Sequence, residues 1–349
     1  MSVDLWVWVV TAVAIVGMIL FDFFAHVRTP HAPSFREAAT WSAIYIVLAI
    51  VFGIGLGMVW GWDHGTEYFA GYVTEKSLSV DNLFVFLIIM TKFAVPREFQ
   101  QKVLLVGVVI ALVLRTVFIL AGAAAIERWS WVFYIFGAFL VYTGIKLARE
   151  KHEADELSHA DEQKDGLAVR LLKKAVPTVD EYHGDRLTTR IDGKRFITPM
   201  LVVMVAIGAT DILFALDSIP AIYGLTQEPY IVFTANAFAL LGLRQLYFLI
   251  GGLLERLVYL NKGLAFILAF IGLKLVLHAM HVNEVPFINN GEHIDWAPEI
   301  PTWLSLLVIL GTLTVATVAS LVKTRRDRAE ITTEPAAVEA QEPVNHKES

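Results

Sequence analysis

The stretch of sequence that decides the fold is residues 198–223, which read TPMLVVMVAIGATDILFALDSIPAIY. Its only charged residues are Asp211 and Asp217. A helix needs about 20 mostly apolar residues to cross a hydrocarbon core of about 30 Å, so this stretch is predicted to span a membrane. A charged side chain near the bilayer centre costs at least about 2.5–3.5 kcal/mol, and the two aspartates therefore indicate a functional site inside the membrane.

The composition of the whole chain agrees with a membrane protein. Of its 349 residues, 56% are hydrophobic and only 18% are charged, against about 25% charged residues in an ordinary soluble domain. The mean hydropathy is +0.60. These values exclude a soluble globular protein and predict an all-α polytopic membrane protein. The net charge of −6 argues against a nucleic-acid partner, and the absence of cysteine excludes thiolate chemistry.

Nine segments of the chain are long and apolar enough to be predicted as transmembrane helices. They are Leu5–Phe24, Ala39–Trp60, Tyr72–Thr91, Val103–Ile126, Trp131–Leu147, Thr198–Tyr223, Ile231–Leu253, Leu264–Met280 and Pro301–Val322. The number of Lys and Arg residues alternates between low and high from one connection to the next, and basic residues favour the cytoplasmic side. This alternation predicts an N-terminus outside the membrane and a C-terminus in the cytoplasm.

A set of charged residues occurs twice along the chain. The first copy is Glu75, Asp81, Arg115, Glu127-Arg128 and Lys146, and the second is Asp211, Asp217, Arg244, Glu255-Arg256 and Lys274. Each copy contains three predicted spans, so the second must enter the membrane from the opposite side, which predicts an inverted repeat of three plus three helices. Such repeats are common in secondary transporters, whose substrate site lies at their interface. A duplication without a transport role is the alternative.

The chain is accordingly predicted to divide into six parts. Residues 1–61 hold two N-terminal spans, 62–148 the first repeat, 149–197 a charged cytoplasmic loop, 198–281 the inverted second repeat, 282–323 an outer loop and the last span, and 324–349 a disordered cytoplasmic tail. The charged loop is expected to be a solvated linker with some helix, and a regulatory domain is the alternative.

Oxygen-bearing side chains of the third and sixth spans form the candidate metal site, and Asp81 and Asp211 lie near the middle of these spans. The candidate ligands are Glu75, Asp81, Asn82, Asp211, Asp217 and Ser218. Such ligands suit Mg²⁺, Ca²⁺ and Mn²⁺ and are poor for Cu⁺ or Zn²⁺. On a regular helix, a spacing of six separates two carboxylates by about 9 Å along the axis and about 120° around it. A shared ion would therefore need a break in the helix, and Pro220, which lacks an N–H, is the candidate for one.

The repeated basic residues are predicted to balance these carboxylates. Arg115 and Arg244 would neutralise the acids when no metal is bound, and Lys146 and Lys274 are counter-charges or simply extend towards the interface. Asp22 and His26 lie four residues apart on one helix face at the inner end of the first span. They are predicted as a ligand pair at the cytoplasmic mouth, with a plain helix-interface pair as the alternative.

Four motifs of the chain resemble the TerC family, including its Alx branch. They are FDFF at 21–24, EKSLSVDNLFVF at 75–86, ATDILFALDSIPA at 209–221 and GLRQLY at 242–247. The resemblance covers about residues 5–322 and implies a bacterial inner-membrane protein of metal homeostasis, with manganese(II) efflux as its best-supported role. It also implies metal roles for Glu75, Asp81, Asn82, Asp211 and Asp217. The family takes its name from tellurite-resistance operons, and its chloroplast relatives are linked to the insertion of thylakoid proteins.

The function predicted from these features is export of a divalent cation, most specifically Mn²⁺, by alternating access with protons as the coupling ion. Two alternatives stay open, which are a carrier of tellurite or another oxyanion and a membrane-protein assembly or stress factor without transport activity. The chain holds no HExxH, GxSxG or Walker pattern, so no enzymatic activity, catalytic residue or resident cofactor is expected. The expected partners are the metal, protons and the lipid bilayer.

Overall fold

The computed structural model describes residues 1–27, 33–149, 167–179, 181–191, 194–250, 259–283, 285, 288–289, 292, 294 and 296–333. Within these residues the protein is nearly all helix, and the predicted all-α class is confirmed. The side chains of His26 and Asp81 and the predicted pair Glu255-Arg256 lie outside the described part. The predicted tail 324–349 is described only as far as residue 333, as the end of the last helix.

Eleven α-helices and one short hairpin make up the described part of the chain. The helices are α1 (Leu5–Asp22), α2 (Phe35–Trp60), α3 (Trp62–Lys92), α4 (Arg97–Arg128), α5 (Val132–Arg149), α6 (Leu167–Ala175), α7 (Pro199–Tyr223), α8 (Pro229–Leu240), α9 (Leu243–Ile250), α10 (Leu260–His281) and α11 (Thr302–Thr333). A π-helical turn, Phe23–Val27, continues α1. Strands β1 (Thr188–Ile191) and β2 (Lys194–Ile197) pair antiparallel.

Eight helical segments of the described residues are long and apolar enough to cross a membrane. The protein is therefore an integral multi-pass membrane protein. The remaining predicted span, Tyr72–Thr91, lies within α3. At 31 residues, α3 is long enough to cross a membrane. It is not one of these eight segments, and it contains the charged residues Glu75, Lys76 and Asp81. The count of nine spans consequently stays a prediction.

The breaks in the transmembrane helices differ from those predicted. The seventh span was predicted as continuous, but α8 ends at Leu240 and α9 begins at Leu243. Gly242 between them has a φ of +80°, a conformation that glycine adopts without steric cost. The break suggested at Pro220 is wrong, because α7 runs through this residue to Tyr223. Near a helix end, proline removes a single backbone hydrogen bond, and here that loss does not interrupt the helix.

Helices of the two predicted repeats pack crosswise. Each helix of the first repeat packs on a helix of the second, which pairs α3 with α8, α4 with α7 and α5 with α10. The α5–α10 pair is held at short range by glycines, since a Cβ on Gly137 would lie 2.8 Å from the Gly272 carbonyl oxygen and one on Gly144 would lie 2.8 Å from that of Ala265. Small residues of this kind let two membrane helices approach closely.

Part of the predicted cytoplasmic loop is folded against the ends of α3, α4 and α7. Val169 of α6 packs in an apolar cluster with Ile197 and Val202. The Tyr182 hydroxyl donates to the Phe93 carbonyl at 2.7 Å, and the Lys102 ammonium donates to the Asp185 carboxylate at 2.7 Å. The hydrogen bond from Lys102 holds the pKa of Asp185 below its usual value.

Candidate functional site

Arg115 is the centre of a fully buried polar cluster between the two predicted repeats. Its side chain has 0% exposed area, and it lies near the middle of α4. The guanidinium donates from Nε to Asp211 Oδ2 at 3.2 Å and from Nη2 to Asp211 Oδ1 at 3.0 Å. This is the two-pronged pairing that the planar guanidinium favours with a carboxylate. One residue of each repeat therefore meets the other at the middle of the molecule.

Glu75 of α3 brings a second carboxylate to the same guanidinium. Its Oε1 forms an ion pair with Arg115 Nη1, and its side chain also has 0% exposed area. Its Oε2 has no hydrogen-bond partner among the described residues. When both carboxylates are ionised, two negative charges face one positive charge. The cluster then carries one negative charge in excess, in surroundings where an unpaired charge is costly.

Two further predicted residues surround Arg115. With its amide oxygen turned towards the guanidinium, Asn82 accepts from Nη2 at 3.2 Å while its nitrogen donates to the Leu78 carbonyl at 3.2 Å. The Ser218 hydroxyl accepts from Nη1 at 3.4 Å. Glu75 and Asn82 are seven residues apart on α3, a spacing that puts both on one helix face. Four of the six predicted ligands, Glu75, Asn82, Asp211 and Ser218, thus meet at Arg115.

Asp217 lies in a polar cavity next to this cluster. The cavity has a volume of about 220 Å³, and Asn82, Ser218, Thr143 and Lys146 contribute to its lining. The Thr143 hydroxyl donates to Asp217 Oδ1 at 3.3 Å. Asp211 and Asp217 therefore face different surroundings, as their spacing on an unbroken helix requires. The cavity and the Arg115 cluster share Asn82 and Ser218 as a common wall.

Arg244 belongs to a second cluster, and its partner acid comes from outside the repeats. Its Nη2 donates to Asp22 Oδ1 at 2.6 Å, and its Nη1 is hydrogen-bonded to Gln101 Oε1. The Gln245 amide also donates to Asp22 Oδ1, at 3.1 Å. Asp22 was predicted as the partner of His26, whose side chain lies outside the described part. That pair stays a prediction, and the structure brings Asp22 to Arg244.

The two repeated lysines line different cavities. Lys146 contributes to the cavity beside Asp217. Lys274 lines a larger cavity of about 530 Å³ with His64, Glu67 and His278, next to the connection between α7 and α8. In that cavity the Thr226 hydroxyl donates to Glu67 at 2.7 Å, and Gln227 and His278 form a hydrogen bond of 2.7 Å. The predicted topology puts this second cavity on the outer side of the membrane.

The structure also shows polar residues that sequence reasoning missed. Ser79 lies between Glu75 and Asn82 on the same face of α3, is fully buried, and its hydroxyl has no hydrogen-bond partner among the described residues. Its spacing of four from Glu75 is the signal that could have found it. Among the described residues, no three His, Asp or Glu side chains stand close enough to hold one metal ion. In this conformation the place between Glu75 and Asp211 is occupied by the Arg115 guanidinium.

Comparisons with known proteins give the chain a family. The family model described as "Integral membrane protein TerC family" matches residues 60–328. An uncharacterised membrane protein of Mycobacterium tuberculosis (strain H37Rv) is 51% identical over 318 residues, which are 90% of this chain and 78% of the relative. One of Myxococcus xanthus is 38% identical over 311 residues, which are 89% of this chain and 90% of the relative.

A third relative has a descriptive name. The Escherichia coli (strain K12) protein that is named a membrane-bound redox modulator, Alx, is 38% identical over 284 residues, which are 77% of this chain and 85% of the relative. No solved structure matches the chain. The match of the family model over most of the chain, together with these relatives, shows that the protein belongs to the TerC family of integral membrane proteins.

Proposed function

We propose that the protein exports a divalent cation, Mn²⁺, across a bacterial inner membrane, with its N-terminus outside and its C-terminus in the cytoplasm. The observation that carries this proposal is the excess of negative charge at Arg115. Two buried carboxylates, Glu75 and Asp211, share one guanidinium, beside a polar cavity that contains a third carboxylate, Asp217. A site with this charge balance and these oxygen atoms favours a cation, and its ligand chemistry favours a hard one.

In this proposal Arg115 is the internal counter-ion of the empty site. Arriving Mn²⁺ takes Glu75 and Asp211 from the guanidinium, with Asn82 and Ser218 as neutral oxygen ligands. When the metal leaves, Arg115 pairs again with one carboxylate and a proton neutralises the other, which spares the empty carrier an unpaired buried charge. Exchange of one Mn²⁺ for protons follows from this competition, and it supplies the energy for uphill export.

The packing of the repeats supports alternating access. An inverted repeat provides two related arrangements, each of which faces one side of the membrane. The crosswise pairs α3–α8 and α4–α7 are the contacts expected if a two-fold axis relates the repeats. The equivalent lysines, Lys146 and Lys274, line separate cavities, as expected for one vestibule from each repeat.

The arginines argue against an oxyanion as the substrate. Both guanidinium groups are already paired with carboxylates, Arg115 with Asp211 and Arg244 with Asp22. An anion would have to displace a tethered carboxylate of the same charge, which gains little binding energy. The remaining alternative, an assembly factor without a substrate, predicts no flux of any ion.

The test is Mn²⁺ transport in proteoliposomes with a pH-sensitive dye trapped inside. We expect the wild type to move Mn²⁺ with a proton signal of opposite direction and fixed ratio, and Glu75→Gln to lose both. Asp185→Asn, an acid-to-amide change at an exposed loop, is the matched control and should keep the wild-type rate. Absence of Mn²⁺ flux in the wild type, or flux that Glu75→Gln leaves intact, would overturn the proposal.

A further inference from the structure

Lys76 follows Glu75 on α3 but points to a different helix. While Glu75 contacts Arg115, the Lys76 ammonium donates to the carbonyl oxygens of Ala239 at 3.0 Å and Leu241 at 3.4 Å. Successive residues of a helix are about 100° apart around its axis, so Glu75 and Lys76 face different neighbouring helices. The proposed export mechanism does not use Lys76.

The two carbonyls lie at the break between α8 and α9. The last carbonyls of a helix have no partner within it, and they carry the negative end of the helix dipole. Leu241 has an extended conformation and Gly242 a positive φ, so the chain leaves α8 before α9 can supply N–H groups. Inside a membrane such carbonyls need a donor or a cation.

Side chains on both sides of the break contribute further oxygen atoms. Asn236 of α8 has 0% exposed area, and neither its oxygen nor its nitrogen has a hydrogen-bond partner among the described residues. Gln245 of α9 has 4% exposed area, and its Oε1 also lacks one there. Besides the two carbonyls, the residues next to the break thus include two buried amide oxygens without a partner in the described part of the chain, together with two donors that also lack one there, the Asn236 amide nitrogen and Arg244 Nε.

Carbonyl oxygens at the ends of broken helices are the usual ligands of monovalent coupling ions in secondary transporters. We propose that the α8–α9 break is a monovalent-cation site whose cation is the chain's own Lys76 ammonium, and that this site takes up Na⁺, K⁺ or NH₄⁺ when the side chain is removed. The tethered ammonium occupies the site permanently. Wild-type stability and activity therefore need no Na⁺.

The test compares melting temperatures of the purified full-length protein in NaCl, KCl, NH₄Cl and choline chloride at equal ionic strength. Choline is too large for a carbonyl site, so it controls for screening. We expect Lys76→Met to melt below the wild type in choline chloride and to gain a few degrees in at least one small cation, by linkage of binding to folding. The wild type and the control Lys262→Met, changed at an exposed lysine of α10, should melt alike in all four salts.

A second variant separates a cation site from a simple hydrogen-bonding cap. Lys76→Gln keeps N–H donors but loses the charge. If Lys76 only caps α8, Lys76→Gln should be as stable as the wild type in every salt; a cation site predicts that it too gains stability from a small cation. The proposal is wrong if Lys76→Gln, or Lys76→Met where it accumulates in cells, melts at the same temperature in all four salts.

The same variants distinguish this inference from the proposed function. Only the transport consequence of the inference rests on the proposed function. The melting experiment needs no transport. If Lys76→Met gains a cation response while the wild type moves no Mn²⁺, the site stands and the exporter proposal falls. If Mn²⁺ is transported and Lys76→Met lacks a cation response, the exporter proposal stands and the cation site falls. When both stand, Mn²⁺ transport by Lys76→Met should depend on the cation that stabilises it.

Discussion

The two arginines that the sequence repeats, Arg115 and Arg244, have different partners. Arg115 is fully buried and joins a carboxylate of each repeat, Glu75 and Asp211. Arg244 is 5% exposed and pairs with Asp22, which precedes both repeats. Corresponding positions of the predicted repeat therefore have different ion-pair partners. The first arginine holds the candidate site, and the second ties the second repeat to α1.

The largest effect is expected from removing the central guanidinium. Arg115→Met leaves Glu75 and Asp211 buried without a counter-ion, which typically costs about 3–5 kcal/mol of stability. Arg244→Met should cost less, because Gln245 still donates to Asp22. Thermal unfolding in detergent micelles and the amount of protein in the membrane measure both. Adding Glu75→Gln and Asp211→Asn to Arg115→Met should restore stability; equal losses for the two arginines would remove the distinction between the clusters.

A second comparison concerns transport and not stability. Asp211→Asn removes a charged ligand, and the loss of about 3 kcal/mol lowers affinity for Mn²⁺ roughly 100-fold. Asp81→Asn is expected to have a similar effect, on the basis of its place in the sequence repeat. Asp22→Asn should reduce Mn²⁺ flux less, since Asp22 lies in the other cluster. The measurement is Mn²⁺ flux per reconstituted protein, and a more severe defect in Asp22→Asn than in Asp211→Asn would contradict the assignment.

The strength of each pairing can be compared by double-mutant cycles. For Asp22→Ala with Arg244→Ala we expect a coupling energy of about 0.5–3 kcal/mol, the range found for residues in direct contact. The cycle of Asp211→Ala with Arg115→Ala should give the larger value, because both partners are more deeply buried. Unfolding free energies of the four proteins of each cycle provide the measurement. A larger coupling energy for the Asp22 pair would reverse the order.

The smallest effect is expected at the partly exposed pair Lys102 and Asp185, which is the reference for both buried clusters. Exposed ion pairs contribute only about 0.2–1 kcal/mol, so Lys102→Ala should change stability within that range. Because the hydrogen bond lowers the pKa of Asp185, its contribution is complete above the unfolded pKa of about 3.9. It is lost as the pH falls through the still lower folded pKa. Melting temperatures of wild type and Asp185→Asn should therefore differ by the same amount from pH 5 to pH 8.

The sequence predicted the membrane class and the residues of the central cluster for a clear physical reason. Burying charged groups in a bilayer is costly, so the few that occur there, such as Asp211 and Arg115, stand out against an apolar background. For an unbroken helix, the spacing of Asp211 and Asp217 predicts that they face different directions; α7 is unbroken, so the break proposed to bring them to one ion is absent.

Partner choice was harder to predict. Asp22 and Arg244 are 222 residues apart, and only tertiary packing brings them together. The break at Gly242 was missed because a single glycine in an apolar run equally well indicates close helix packing, as at Gly53, where a Cβ would lie 2.6 Å from Tyr68. The acceptors of Lys76 are backbone carbonyls, which carry no sequence signal at all.

The glycine contact between α5 and α10 has a mechanical consequence. The cavity beside Asp217 is walled on one side by these two helices, through Lys146 and Leu268, and on the other by α3 and α7. The backbones of α5 and α10 meet at Gly137 and Gly272 with no side chains between them. We therefore expect the two helices to behave as one rigid unit. Since α5 and α10 come from different repeats, the joint that yields when the cavity opens follows the cavity wall and not the boundary between the repeats. In the proposed alternating access, we therefore expect α5 and α10 to move together, although they belong to different predicted repeats.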